Sequence, residues 1–235
     1  MVDRRQVLVG AAGAAGMLAA EAAAQTTPAA PAPAPAEAPF AVTYVEVERA
    51  RADAARRLLT RYRDAAMEKG AIEYAVFEQN GRQGHFTVVE QWPSAKARED
   101  NAASMAGRDL RAALAPLLVA PLDERPHAVL STGPKPTTTA GLYVVTHVDV
   151  VPTKREDGTA EIRKLVEASR GSAGNVRFDA LVQAGRPNHL TLVEAWTNTG
   201  TQETHSAAQP TRSFRTALGP MNGSLYDERL YTLLK

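Results

Sequence analysis

A single offset of 104 residues relates the second half of this chain to the first. Glu90-Gln91-Trp92 returns as Glu194-Ala195-Trp196, Gln79 as Gln183, Gly81-Arg82 as Gly185-Arg186, and His85 and Thr87 as His189 and Thr191. Further on, Glu99 matches Glu203, Arg108 and Arg111 match Arg212 and Arg215, Pro116 matches Pro220, and Asp123-Glu124-Arg125 returns as Asp227-Glu228-Arg229. A period this long describes a whole small domain rather than one turn of a solenoid. The chain should therefore hold two similar units of roughly ninety residues, each able to bury one modest core.

The 27 basic and 26 acidic residues leave a net charge of +1. Such a balance sets up no long-range field to gather nucleic acid or an anionic membrane. With no cysteine, disulfides, thiolate metal sites, iron–sulfur clusters and cysteine nucleophiles all drop out. Nor does any His/Glu grouping show metal-ligand spacing, and there is no glycine-rich phosphate loop or nucleophile elbow. No cofactor and no metal is expected.

At the N-terminus, Asp3-Arg4-Arg5-Gln6-Val7-Leu8 precedes a weakly apolar Ala/Gly stretch and Ala22-Ala23-Ala24. This pattern resembles a twin-arginine export signal with a small-residue cleavage site, which implies a periplasmic or secreted protein. The apolar run 7–20 is shorter than the ~20 residues a membrane helix needs, so a stable anchor is not expected. The expected organisation is a signal at 1–24, an Ala/Pro-rich extended tether at 25–40, unit 1 at 41–132, a Gly/Pro/Thr linker at 133–140 and unit 2 at 141–235.

Within each unit the periodicity switches between 2 and 3.6 in the same order. Unit 1 reads strand (42–48), helix (49–69, with Leu58, Leu59, Tyr62 and Ala66 at helical spacing), strand (72–79), an Asn80-Gly81 turn, strand (85–92), a helical region to 114, and a short strand around 127–130. Unit 2 repeats it, with a capping box read at Thr199-Gly200-Thr201-Gln202 and helix breaks expected at Pro210 and Gly107. The order βαββαβ implies an α+β, ferredoxin-like unit: an antiparallel sheet with both helices on one face. The naked face would expose a large apolar patch. Two such sheets packed face to face within the chain, as an intrachain pseudo-dimer, would cover it.

Alternation on the third strand groups Phe86, Val88, Glu90 and Trp92 on one face, and Leu190, Leu192, Glu194 and Trp196 in the copy. If that face lies under the helices, each unit has a pocket floored by Glu and Trp. The residue nine positions after the Trp sits above it: Asn101 in unit 1, His205 in unit 2. His85 and His189 point the other way, toward the sheet-packing face.

The strand-turn-strand ending in Glu-x-Trp, followed by a helix with His205-Ser206 and then Phe214, resembles the antibiotic biosynthesis monooxygenase (ABM) family over residues 41–130 and 141–234. The resemblance implies a dimeric α+β barrel with a pocket between sheet and helices. It also implies cofactor-independent oxygenation of a quinol or small phenolic substrate by O2. On that reading His205 is the base, Trp196 an aromatic platform, Glu194 an orienting carboxylate or second base and His147 a further catalytic candidate. Glu90, Trp92, Asn101, Tyr44 and Phe214 are expected as pocket residues. Haem-degrading relatives carry an Asn, Trp and His arrangement, but the first strand of unit 2 has no Asn, so that activity is less supported. The alternative is a non-catalytic binding or stress-response module, in which the repeated Glu and Trp serve folding alone.

Overall fold

The computed structural model describes residues 39–235. The segments expected to be an export signal and an Ala/Pro-rich tether lie, as far as residue 38, outside the described residues. Unit 1 runs β1 (Phe40–Glu46), α1 (Ala52–Glu68), β2 (Glu73–Gln79), β3 (His85–Gln91), α2 (Ala95–Ala102), α3 (Met105–Leu114) and β4 (Asp123–Ser131). Unit 2 repeats this as β5 (Leu142–Asp149), α4 (Arg155–Arg170), β6 (Asn175–Gln183), β7 (His189–Trp196), α5 (Thr199–Ala207), α6 (Gln209–Leu218) and β8 (Asp227–Leu233). Among the described residues no helix is long and apolar enough to cross a membrane.

The elements end where local chemistry ends them. Gly70, at φ +94°, follows α1, and Gly81 and Gly185 supply φ +75° and +76° in the two hairpin loops, a region open to glycine at little cost. Helix α5 begins with a capping box, but its cap is Asn198, whose side chain accepts from Thr201 N–H, one residue before the stretch read from sequence. The break ahead of Pro210 is present, between α5 and α6. In unit 1 the break falls at Ser104 instead of Gly107: the Ser104 hydroxyl accepts from Gly107 N–H and caps α3.

The two sheets do more than pack. All eight strands close one antiparallel barrel in the order β1-β3-β2-β8-β5-β7-β6-β4. Each unit keeps the ferredoxin-like order, and the seams between units are β2–β8 and β4–β6. Closure leaves no exposed sheet edge. Strands four places apart (β1 and β5, β2 and β6, β3 and β7, β4 and β8) are related by a half-turn about the barrel axis.

Strand alternation then separates three apolar cores. Phe40, Val42, Phe77, Val89, Val145, Leu181, Val193 and Tyr231 fill the barrel from both units. Phe86, Val88 and Trp92 pack outward with Leu59, Tyr62 and Leu114 of the unit 1 helices. Leu190, Leu192 and Trp196 do the same with Ile162, Leu165 and Phe214 in unit 2. His85 and His189, expected between the sheets, instead stand partly exposed at the barrel rim as the first residues of β3 and β7, each 3.5 Å from a carboxylate, Glu46 and Asp149 respectively.

Because one core is common to both units, unfolding should be concerted. Phe77→Ala, which removes a fully buried ring beside Tyr143 and Tyr231, is expected to cost about 3–5 kcal/mol. In urea titrations of Trp92→Phe and Trp196→Phe proteins, each retaining one reporter, this substitution should lower both midpoints together. A shift seen only by Trp92 would show that the units unfold independently.

Candidate functional site

The geometry of the outward face follows the sequence pattern closely. In both units the Trp indole N–H donates to the Glu two residues earlier, Trp92 to Glu90 at 3.0 Å and Trp196 to Glu194 at 2.9 Å. Among the described residues neither Glu pairs with an Arg. The repeated Arg111 and Arg215 reach Glu124 (2.9 Å) and Glu228 (3.2 Å), the middle residues of the repeated Asp-Glu-Arg triplets. Asp123 and Asp227 instead hold Arg125 and Arg229, two residues along the same strand.

Above this common floor the units differ. Unit 1 encloses a cavity of about 50 Å³ lined by Tyr62, Tyr74, Glu90, Asn101, Gly107 and Leu110, with the half-exposed Arg111 and Glu124 on its outer side. That is room for a few water molecules. Asn101 donates to the Tyr62 hydroxyl at 2.7 Å. The proton of Tyr62 is thus left to donate to another acceptor. Burial raises the Glu90 pKa above the usual carboxylate value, opposed by the Trp92 hydrogen bond; burial also raises Tyr62 and Tyr74.

In unit 2 larger side chains stand at the corresponding positions. At the 104-residue offset, Gly107 becomes Thr211, Leu110 becomes Phe214, Leu122 becomes Tyr226 and Asn101 becomes His205. The His205 ring stacks on Trp196 with centroids 4.6 Å apart, lies edge-on to Phe178, and has Nε2 3.2 Å from the Thr211 hydroxyl. It is only 6% exposed, and burial holds it neutral, with its pKa lowered to about 4. Glu194 is raised to about 8 by burial, so near neutrality it is mostly a protonated acid.

Tyr44 and His147, expected as site residues, are not in either helix-covered pocket. Alternation on β1 and β5 turns them into the barrel, where the Tyr44 hydroxyl meets His147 Nε2. A directed hydrogen-bond chain runs from there. His127 Nδ1 is 2.7 Å from the Arg125 carbonyl, which can only accept, so Nε2 is the acceptor of neutral His127. The Thr191 hydroxyl therefore donates to His127 Nε2 (2.9 Å) and accepts from His147 Nδ1 (3.1 Å), leaving His147 Nε2 to accept from Tyr44 and from Arg125 Nη1 at 3.0 Å. Burial keeps both rings neutral, lowering His127 to about 4 and His147 to about 3, the latter helped by Arg125. Arg125 and Arg229 lie over the Tyr44 ring, 5.2 and 5.4 Å from its centroid.

Sequence reading missed Tyr62, Tyr74 and His127. Tyr62 counts as an apolar helix residue in a periodicity argument, although the repeat carries its own signal: Tyr74 faces Glu90 across the strands where Phe178 faces Glu194. Among the described residues, no group of three or more His, Asp or Glu side chains is placed to hold a metal ion.

Sequence comparison matches residues 40–111 and 141–217 to the family described as Antibiotic biosynthesis monooxygenase. A curated relative, "Putative monooxygenase YcnE" of Bacillus subtilis (strain 168), is 30% identical over 60 residues, covering 26% of this chain and 63% of that protein's length. A crystal structure of a protein described as a putative monooxygenase from Fusobacterium nucleatum shares the fold with TM-score 0.74 at 16% identity, over 83% of this chain and 92% of that one. Another so described, from Lactobacillus acidophilus NCFM, gives TM-score 0.67 at 12% identity over 83% and 92%.

The buried ionisable groups fix a pH profile. Glu194, raised from 4.5 to about 8, contributes stability that is complete below the unfolded-state value and lost as pH rises through 8; Glu90 has the same sign. The histidines run the other way: held neutral at about 4, 3 and 4, their contributions are complete above about 6.5 and lost as pH falls toward 3 to 4. Stability should therefore peak near pH 6.5 and drop by about 2 kcal/mol between pH 6.5 and 8. Urea titrations at both pH values should show that Glu194→Gln removes most of this alkaline drop. An undiminished drop in the variant would place its origin elsewhere.

Proposed function

Because this chain belongs to the antibiotic biosynthesis monooxygenase family, with two copies in tandem, we propose that it is an exported, cofactor-independent monooxygenase acting on a quinol or small phenol. The observation that carries this reading is the cavity of unit 1, where Glu90, Tyr62 and Asn101 converge. Export is supported by the twin-arginine-like segment ahead of residue 25, and recovery of the chain only from the cytoplasm of its host would remove that part.

The chemistry asks little of the protein. A phenol that loses its proton becomes electron-rich enough to pass one electron to O2. The resulting superoxide and substrate radical combine at a ring carbon to give a hydroperoxide, which loses water. One oxygen atom enters the product as a quinone carbonyl and the other leaves as water, with all four electrons drawn from the substrate. The protein must bind, deprotonate and exclude solvent.

Unit 1 offers a group for each task. Glu90, with its pKa raised by burial, is better matched to neutral pH as a proton acceptor than an ordinary carboxylate. The Tyr62 hydroxyl, already accepting from Asn101, is free to donate to the phenolate oxygen as its charge develops. The cavity must widen to admit a ring, and the yielding element is α3. A Cβ on Gly107 would lie 2.4 Å from the Ala102 carbonyl, so α3 already rests directly on α2 backbone and can only move outward.

The small cavity volume favours a second reading, a binding module without turnover. Oxygen uptake with a panel of phenols and quinols separates the two. Uptake is expected, and Glu90→Gln should lower it by about 10²-fold or more. His205→Ala should leave uptake within about threefold while costing roughly 1–3 kcal/mol of stability. Loss of uptake in a well-folded His205→Ala protein would move the chemistry to unit 2, and binding with no uptake would favour the second reading.

A further inference from the structure

A barrel built from two identical units places each axial residue opposite a copy of itself. Here the half-turn relates Glu73 at the start of β2 to Arg177 in β6, 104 residues later, and the two side chains touch. Arg177 Nη1 donates to Glu73 Oε1 at 2.6 Å, and the Arg177 side chain is only 8% exposed. Two copies of the first unit would set carboxylate against carboxylate at this point. Two copies of the second would set guanidinium against guanidinium. Either arrangement puts like charges together where little water can screen them.

The match extends beyond one pair. Arg177 Nε also donates to Asp179 at 2.6 Å, and the other oxygen of Asp179 accepts from Gly133 N–H at 2.8 Å, in the linker between units. The first unit has Ala75 where the second has Asp179. Its own copy would therefore bring no such acid. At the opposite barrel end, Tyr44 and His147 also hold equivalent positions, facing Thr87 and Thr191 on their neighbouring strands. They again differ and complement, a phenol donating to an imidazole.

We infer that the surface along which the two units face each other across the barrel axis is a heterotypic recognition surface: the first unit is built to pair with a unit of the second kind, and not with a copy of itself. The ionic match of Glu73 with Arg177 is its principal determinant. The Tyr44–His147 bond supports it at the other end. Both matches are satisfied when one chain closes its own barrel.

Charge reversal in the full chain creates each homotypic pairing in turn. Asp179→Asn is carried throughout, so that an acid introduced at position 177 does not face Asp179. In that background Glu73→Arg and Arg177→Glu should each lower Tm by an amount on the order of 10 °C. The combined Glu73→Arg/Arg177→Glu protein, with the pair restored in reverse, should regain at least half of the larger loss and elute as a monomer. Losses that simply add in the combined protein overturn the inference. If the reversals do not fold, Glu73→Gln, Arg177→Gln and their combination decide it: a combined Tm loss clearly smaller than the sum supports the match, and an additive loss overturns it.

Discussion

A four-stranded sheet with helices on one face must bury the other, and everything else in this molecule depends on how that is done. The chain carries a second sheet of the same kind and joins it edge to edge with the first, so that Val42, Phe77 and Val89 meet Val145, Leu181, Val193 and Tyr231 in one interior. Closure through β2–β8 and β4–β6 pairs the strand edges at the same time. Burial of the interior and satisfaction of the edges are one event, so neither half has a complete core alone. The linker is held into the same arrangement where Gly133 N–H donates to Asp179.

Once the interior is shared, the outward faces are free to diverge. Both units keep the floor, a Glu receiving the indole N–H of the Trp two residues on. The roof differs. In unit 1, Gly107 and Leu110 leave space over Glu90 and bring two phenols and Asn101 to its edge. In unit 2, Thr211, Phe214 and Tyr226 add bulk, and His205 lies flat on Trp196. The residue types with the most familiar catalytic chemistry, an imidazole and a strongly perturbed carboxyl, are thus in the better-filled half. There burial accounts for both pKa shifts.

Much of this was legible in the sequence, because the signals involved are local. Period-two alternation on β3 and β7 correctly put Glu90, Trp92, Glu194 and Trp196 under the helices, and nine further residues correctly reached Asn101 and His205. The 104-residue offset required two units of one fold. Other features depend on convergence of distant segments. Tyr44 and His147 sit 103 residues apart and meet only because β1 and β5 stand opposite each other in a closed barrel. The difference between an open and a filled roof is written in four substitutions between the repeats, yet their effect is a volume, visible only when Leu110, Gly107 and Leu122 are seen around one space.

Under the proposed function one cavity per barrel, that of unit 1, binds the phenol, and the binding stoichiometry decides it. Isothermal titration of the full chain with a simple phenol, repeated with Leu110→Phe to copy the side chain that occupies the second unit's roof, should give one site per chain in the parent and none in the variant. Two sites per chain, or one site that survives Leu110→Phe, would contradict it.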